Sequence, residues 1–319
     1  MDRDQKTAFK FIDLFAGIGG MRLGFEKAGG SCVFSSEWDK YSQKTYAANF
    51  KELPHGDITQ ISEHEIPKFD VLLAGFPCQP FSTIGKRQGF DHPTQGTLFY
   101  DVERIMDHHR NKAFLLENVA GLKSHDGGRT LKVIEESLTN LGYKFDHKVL
   151  DAADFGVPQH RDRIYIVGYR CRRDRGGRVE LDWPSGEPSN PARISDYIKT
   201  GVTGHSISKH LQDVYIYKKK DGRPQVIDQS SDFPVKTLVA SYHKIQRLTG
   251  TFVADGETGL RLLTSDECKA IMGFPHDFEI PVSRTQMYRQ MGNSVAVPVI
   301  SVLAEWIAKD LISRANYWS

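Results

Sequence analysis

One cysteine of the chain lies in a setting suited to nucleophilic chemistry. Cys78 follows an apolar run at residues 71–75 and stands between Pro77 and Gln79, with Pro80 close behind. Prolines on both sides argue against burial inside a strand. A loop after a strand exposes the sulfur and directs backbone amides toward it, which lowers the thiol pKa. Because a lone cysteine is most often a buried, inert side chain, that alternative stays open at this point.

An acid and two cations follow later in the chain. Glu117 ends the next apolar run, so we expect its carboxyl at the same sheet edge as Cys78. Arg161 and Arg163 alternate in Gln-His-Arg-Asp-Arg, a pattern suited to a phosphate or an anionic intermediate. Residues 161–178 hold seven arginines against two aspartates, which suits a polyanionic partner. A solvated arginine-rich loop is the plain alternative.

A glycine loop indicates a nucleotide-like cofactor. Residues 15–20 read Phe-Ala-Gly-Ile-Gly-Gly and lie between a predicted strand and helix, where backbone amides approach a ligand. A tight turn without a ligand would use the same glycines. Glu37, about 20 residues on, is placed to accept hydrogen bonds from both ribose hydroxyls. Asp57, at the end of a further predicted strand, is placed to accept from an adenine amino group. The incomplete G-x-G-x-x-G pattern disfavours a dehydrogenase.

The elements that must position these groups alternate between strands and helices over roughly the first 170 residues. Strands are predicted at residues 9–15, 71–75, 113–117, 148–150 and 164–169, and a further strand is predicted to end near residue 37. Helices are predicted at residues 21–28, 39–49 and 97–109. This alternation predicts a doubly wound α/β sheet that binds ligands at its carboxyl edge.

The remainder of the chain changes character. Residues 187–287 contain short strand-like pieces and turns without helical periodicity, which predicts a separate smaller domain, rich in loops and strands. Residues 294–312 are apolar at helical spacing and should pack back onto the first domain. The large domain is therefore predicted to be discontinuous, formed by residues 1–186 and 288–319.

Composition excludes several classes of protein. The 319 residues are 39% hydrophobic and 26% charged, which is ordinary for a globular chain. No apolar run approaches the ~20 residues of a bilayer span, and the first residues are charged where a signal peptide would be apolar. We therefore expect a cytoplasmic protein without a membrane span. The four cysteines include no C-x-x-C pair, so neither a disulfide framework nor a metal site is expected.

Taken in order, these motifs resemble those of bacterial and phage restriction-modification DNA (cytosine-5-)-methyltransferases. The matching pieces are residues 15–20, Glu37-Trp38, Gly56-Asp57-Ile58, Pro77-Cys78-Gln79, Glu117-Asn118-Val119, residues 159–163, Thr237-Leu238 and residues 290–295. The resemblance implies a Rossmann-like, S-adenosylmethionine-dependent methyltransferase domain and a target-recognition domain. It also implies methyl transfer to carbon 5 of a cytosine flipped out of duplex DNA.

The resemblance assigns roles to single residues. Cys78 is the expected nucleophile, and Glu117 is the expected acid at ring nitrogen 3 of the cytosine. Arg163 is expected to contact the carbonyl oxygen of the base, and Arg161, also in the catalytic group, is expected to support the loop that carries Arg163. The expected cofactor-binding residues are Phe15, Ala16, Gly17, Gly19, Gly20, Glu37, Trp38, Asp57, Ile58, Pro77, Leu98, Asn293 and Ser294. The expected DNA-binding residues are Ser82, Lys86, Arg87, Thr237, Leu238 and Tyr242.

The resemblance also implies partners. Double-stranded DNA is the expected substrate of a monomer, and a cognate restriction endonuclease is expected genetically, without a stable complex. Residues 235–252 resemble recognition segments that read short G/C-rich palindromes such as GGCC or CCGG.

Two alternatives stay open. One is a transfer RNA cytosine-5 methyltransferase on the same scaffold, which the long segment 187–287 disfavours. The other is a non-catalytic DNA-binding relative, which would be expected to lose Cys78 or Glu117.

Overall fold

The computed structural model describes residues 8–77, 98–171 and 176–313. Within them, seven strands form one sheet in the order β2-β1-β3-β4-β6-β5-β7. The strands are β1 (Phe9–Leu14), β2 (Gly30–Ser36), β3 (Val71–Gly75), β4 (Ala113–Val119), β5 (Tyr143–Asp151), β6 (Asp162–Arg170) and β7 (Gly177–Arg178). β1 to β4 run parallel, whereas β6 is antiparallel to β4 and β5. The ends of β1 to β5 and the start of β6 therefore share one side of the sheet, called here the carboxyl edge.

Helices pack on both faces of this sheet, and further helices lie in the later part of the chain. The helices are α1 (Gly20–Lys27), α2 (Lys40–Phe50), α3 (Leu98–His109), α4 (Arg129–Asn140), the short α5 (Lys209–Leu211), α6 (Ser265–Met272), α7 (Arg284–Asn293) and α8 (Val297–Ser313). Phe25 of α1 and Leu303 of α8 join a buried cluster on one face. Val102 of α3 and Ile134 of α4 join the cluster on the other face. This confirms the predicted doubly wound α/β fold.

The third buried cluster lies mostly within residues 194–297 and contains Ile216, Phe252 and Met287. A two-stranded parallel sheet, β8 (Gln225–Ile227) with β9 (Thr251–Val253), contributes to this region. The described residues here also form α6 and the start of α7, so the prediction of a segment without helical periodicity was wrong. A capping box at Thr264 and Glu267 begins α6 and satisfies its first backbone amides.

The prediction of a strand that ends near Asp57 was also wrong. Residues before it make only an isolated bridge, between His55 and Ser36. Asp57 instead caps a short 3-10 helix, Ile58–Gln60, because its carboxylate accepts from the backbone amide of Thr59 at 3.0 Å.

No helix among the described residues is long and apolar enough to cross a membrane.

Candidate active site

The carboxyl edge brings an acid and a cation together. Glu117 of β4 lies 3.0 Å from Arg163 of β6, measured from Oε1 to Nε, and both side chains are largely buried. The register explains this pairing, because Val119 lies opposite Arg163 and Gly75 of β3 lies beside Glu117. Burial raises the pKa of Glu117 and outweighs the opposite effect of the Arg163 guanidinium. The carboxyl group is therefore suited to holding a proton.

Asn118, next to Glu117, fixes the backbone that leads to the expected nucleophile. Its side-chain amide donates to the carbonyl of Phe76 at 2.8 Å, and its oxygen accepts from the amide of Val119 at 2.8 Å. The side chain is buried. Phe76 and Pro77 are the last described residues before Cys78, which lies outside the described part of the chain. The sequence motif contained Asn118, but the site prediction omitted it.

The glycine loop joins β1 to α1 and is held by Glu37. The backbone amide of Gly17 donates to Glu37 Oε2 at 2.8 Å, and that of Asp39 donates to Oε1 at 2.7 Å. Gly19 has a φ of 88°, and a Cβ there would lie 2.2 Å from the ring of Phe50, so only glycine fits. Both Glu37 oxygens thus bind the protein backbone. A carboxylate oxygen accepts more than one hydrogen bond, so the ribose contact stays a prediction.

Other predicted cofactor residues surround this loop. The amide of Ala16 donates to the carbonyl of Ser36 at 2.9 Å and so ties the loop to the end of β2. Trp38 is 77% exposed, which leaves its ring free to cover a flat ligand. Asp57 and Pro77 are exposed, Phe15 and Leu98 are half-buried, and Ile58 is buried.

The region around residues 290–295 closes the other side of the loop. A Cβ on Gly20 would lie 2.8 Å from Val295 and 2.9 Å from Ser294 Oγ, so these segments touch directly. Asn293 ends α7 and is exposed beside this contact. The structure thus brings the glycine loop, the end of β2 and residues 293–294 close together. Their role in binding a cofactor stays a prediction.

Arg161 is buried where residues 159–161 meet Leu238 and residues 292–294. It is 2% exposed, and its guanidinium donates to the carbonyls of Leu238 at 3.1 Å and of Gly292 at 2.9 Å. A third donation goes to the carbonyl of Ser294 at 2.5 Å. The supporting role expected of Arg161 in the catalytic group stays a prediction. Gln159 adds to this junction, because its side-chain oxygen accepts from the amide of Leu238 at 2.7 Å.

The predicted DNA-binding residues separate into three groups. Thr237 is half-buried, and its hydroxyl donates at 2.7 Å to the carbonyl of His160, within residues 159–163, called here the arginine loop. Tyr242 is 3% exposed, and its hydroxyl donates to the carbonyl of Thr251 at 2.6 Å. Leu238 is buried as well. Both side chains are enclosed in the protein core, and the DNA contact expected of these two residues stays a prediction.

The third group lies outside the described residues and consists of Ser82, Lys86 and Arg87. Arg172, Arg173 and Arg175 of the arginine-rich stretch lie outside them as well.

A doubly wound sheet with a glycine loop after β1 and an acid–arginine pair at its carboxyl edge defines a Rossmann-like methyltransferase. The family model described as C-5 cytosine-specific DNA methylase matches residues 9–309. The chain therefore belongs to this family of DNA (cytosine-5-)-methyltransferases.

Named relatives agree over nearly the whole chain. Type II methyltransferase M.MspI of Moraxella sp. is 57% identical, with 95% of this chain and 71% of the relative covered. Type II methyltransferase M.HhaI of Haemophilus parahaemolyticus is 38% identical, with 96% of each chain covered. The solved structure of S. pombe Dnmt2 methyltransferase has a TM-score of 0.77 at 20% identity, over 95% of this chain and 99% of that one. This last likeness supports the fold alone.

Proposed function

We propose that this enzyme transfers a methyl group from S-adenosylmethionine to carbon 5 of a cytosine flipped out of a short, specific duplex site. Cys78 is its nucleophile, and the enzyme protects host DNA within a restriction-modification system. The observation that carries the proposal is the buried Glu117–Arg163 pair. It lies beside Gly75, three residues before Cys78 in the sequence.

The reaction needs a nucleophile because carbon 5 of cytosine is itself poorly nucleophilic. The Cys78 thiolate adds to carbon 6 of the ring and thereby makes carbon 5 electron-rich. Loss of the carbon 5 proton after methylation and departure of the cysteine sulfur then restore the aromatic ring.

Glu117 supplies the acid for this addition. Negative charge moves toward ring nitrogen 3 when the sulfur attacks, and a protonated carboxyl at that nitrogen stabilises it. The raised pKa of Glu117 favours the protonated form that this step requires. Arg163, which is held against Glu117, donates to the base carbonyl.

The residues around the glycine loop hold the cofactor in this proposal. S-adenosylmethionine supplies an electrophilic methyl group on its sulfonium. Glu37 accepts from the ribose, Trp38 covers the adenine, and Asp57 accepts from the adenine amino group. Ser294 lies against Gly20, and Asn293 is next to it in the sequence.

We assign sequence selection to residues 187–287 and propose that the enzyme acts as a monomer on double-stranded DNA in the cytoplasm. Thr237 supports this assignment because it joins the segment to the arginine loop. GGCC or CCGG stays the predicted target. Duplex DNA is favoured over transfer RNA because the relatives M.MspI and M.HhaI are both named type II methyltransferases.

A covalent trap tests the assignment of the nucleophile. Duplex DNA with 5-fluorocytosine at the target should form a stable protein adduct, because fluorine does not leave as a proton does. Cys78→Ala should abolish the adduct, whereas Cys171→Ala, at a half-buried cysteine after β6, should retain it. Denaturing gels and mass spectrometry of the cross-linked peptide give the readout. An adduct that persists in Cys78→Ala would contradict the assignment.

A further inference from the structure

A buried arginine outside the catalytic group holds a surface loop in shape. Arg247 is 7% exposed. Its guanidinium donates to the carbonyls of Ile216 and Lys219, both at 3.0 Å, and forms an ion pair with Asp221. One planar cation thus joins three points of a six-residue stretch. These contacts fix the backbone of residues 216–221.

The loop at residues 217–223, called here the lysine loop, presents positive charge to solvent. Its exposed cations are Lys218, Lys219, Lys220 and Arg223. None of these four forms an ion pair with another residue of the described ranges. The one acid of the loop, Asp221, is paired with Arg247, which lowers the pKa of that carboxyl. The charge of the lysine loop is therefore uncompensated within the described protein.

Hydrogen bonds connect the lysine loop to the carboxyl edge of the sheet. Gln225, two residues after Arg223, accepts from the amide of Lys236 at 3.0 Å and from the hydroxyl of Thr251 at 2.7 Å. Thr237, the residue after Lys236, donates to the carbonyl of His160 in the arginine loop. Lys236 is also exposed. Lys236, an exposed cation, therefore lies between the Gln225 contact after the lysine loop and the Thr237 contact to the arginine loop.

We propose that the lysine loop is a phosphate-contacting arm for the DNA duplex and that Arg247 is the positioning residue that holds it in its binding shape. This inference rests on the proposed function, because it requires a duplex at the carboxyl edge.

The physical argument combines charge with preorganisation. Each lysine that neutralises a phosphate releases condensed counterions, so the loop contributes affinity that falls with salt. A loop fixed before binding loses less conformational entropy on the DNA than a loose one. Arg247 is suited to this task because its planar fork binds two carbonyls and a carboxylate at once, which a lysine ammonium does not reproduce.

The first test removes the charge. Lys218, Lys219 and Lys220 are all changed to Gln, and duplex affinity is measured by fluorescence anisotropy from low to moderate salt. Each phosphate contact contributes about 0.9 to the slope of log affinity against log salt, so the slope should fall by about 2 to 3. The Kd at about 0.1 M salt should rise tenfold or more.

The control variant carries the same charge change at the opposite edge of the sheet. Lys10 and Lys144 lie at the starts of β1 and β5, and Lys68 precedes β3. Changing these three to Gln should leave the slope and the Kd unchanged within twofold. Equal losses in both triple variants would indicate a general charge effect and overturn the proposal.

The second test loosens the loop while keeping its lysines. Arg247→Ala should raise the KM for duplex about tenfold and leave kcat at saturating DNA within twofold, with Arg247→Lys intermediate. A purely structural role would instead lower kcat, kcat/KM and the melting temperature together. If Arg247→Ala does not fold, Arg247→Lys decides the positioning role by the same comparison of KM with kcat, and an unchanged KM in a folded Arg247→Lys overturns it.

The outcomes separate this inference from the proposed function. If the wild-type chain does not methylate cytosine in any duplex, the proposed function fails. If it methylates duplex but the lysine triple variant keeps its affinity and salt slope, only the lysine loop proposal fails. A variant that loses affinity for a protein or an RNA, with unchanged affinity for duplex DNA, would likewise overturn the proposal.

Discussion

Replacing Asn118 by alanine tests whether its hydrogen bonds position the nucleophile. The substitution removes the donation to the Phe76 carbonyl and the acceptance from the Val119 amide, both at 2.8 Å in a buried setting. A typical intramolecular hydrogen bond contributes about 1 kcal/mol, and a buried group left without a partner costs about 1–3 kcal/mol. We expect Asn118→Ala to lower the free energy of unfolding by about 2–3 kcal/mol.

The effect on turnover should exceed what stability explains. A displacement of about 1 Å in a reacting group costs on the order of 100-fold in rate. We therefore expect a 100-fold lower single-turnover rate at saturating DNA and cofactor, about 2.7 kcal/mol in the barrier. Incorporation of a labelled methyl group measures the rate, and urea denaturation measures stability.

Asn111, two residues before β4, offers a matched control. Its side chain is also buried and donates to the carbonyl of Ala113 at 2.7 Å, near the end of β4 that lies away from Asn118. Asn111→Ala should lose similar stability and keep its turnover. Equal turnover in the two variants, whether both normal or both reduced, would refute a positioning role for Asn118.

Two further predictions concern β1 and α1, the elements on either side of the glycine loop. Burial raises the pKa of Asp13 from 3.8 to about 7, so the folded chain keeps a proton that the unfolded chain releases. The free energy of unfolding should therefore fall by about 4 kcal/mol, from this residue alone, as pH rises from about 4 to about 7. Urea titrations of Asp13→Asn at several pH values should lack this part of the pH dependence. A Cβ on Gly20 would lie 2.8 Å from Val295 and 2.9 Å from Ser294, so Gly20→Ala should cost about 1–3 kcal/mol and weaken cofactor binding in calorimetry. Gly121→Ala, which meets nothing within 4 Å, should do neither.

Much of the large domain could be predicted because its signals are local. The apolar runs of β3 and β4 are short and continuous and lead into Gly75 and Glu117, which is typical of buried parallel strands. Asp57 misled the prediction because its neighbours form only a single bridge and then a capped turn. The helix α6 was missed although the spacing of Thr264 and Glu267 is the pattern of a capping box.

The site residues were harder to separate by sequence. Arg161 and Arg163 share a type and a spacing of two, which on one strand would place them on the same face. Arg161 precedes the first residue of β6, however, so it turns into the junction while Arg163 reaches Glu117. Burial of Tyr242 depends on Tyr288 and Phe252, which are distant in sequence or on another element. Such tertiary contacts leave no local signal.

The contacts of Arg161 have a consequence for how such enzymes diversify. All three of its acceptors, in Leu238, Gly292 and Ser294, are backbone carbonyls, which every amino acid carries. Gln159 also binds the backbone amide of Leu238. The Arg161 and Gln159 contacts therefore do not depend on which side chains residues 187–287 bear. Mutation can change the proposed recognition segment over evolutionary time, or an engineer can exchange it, without removing these backbone contacts.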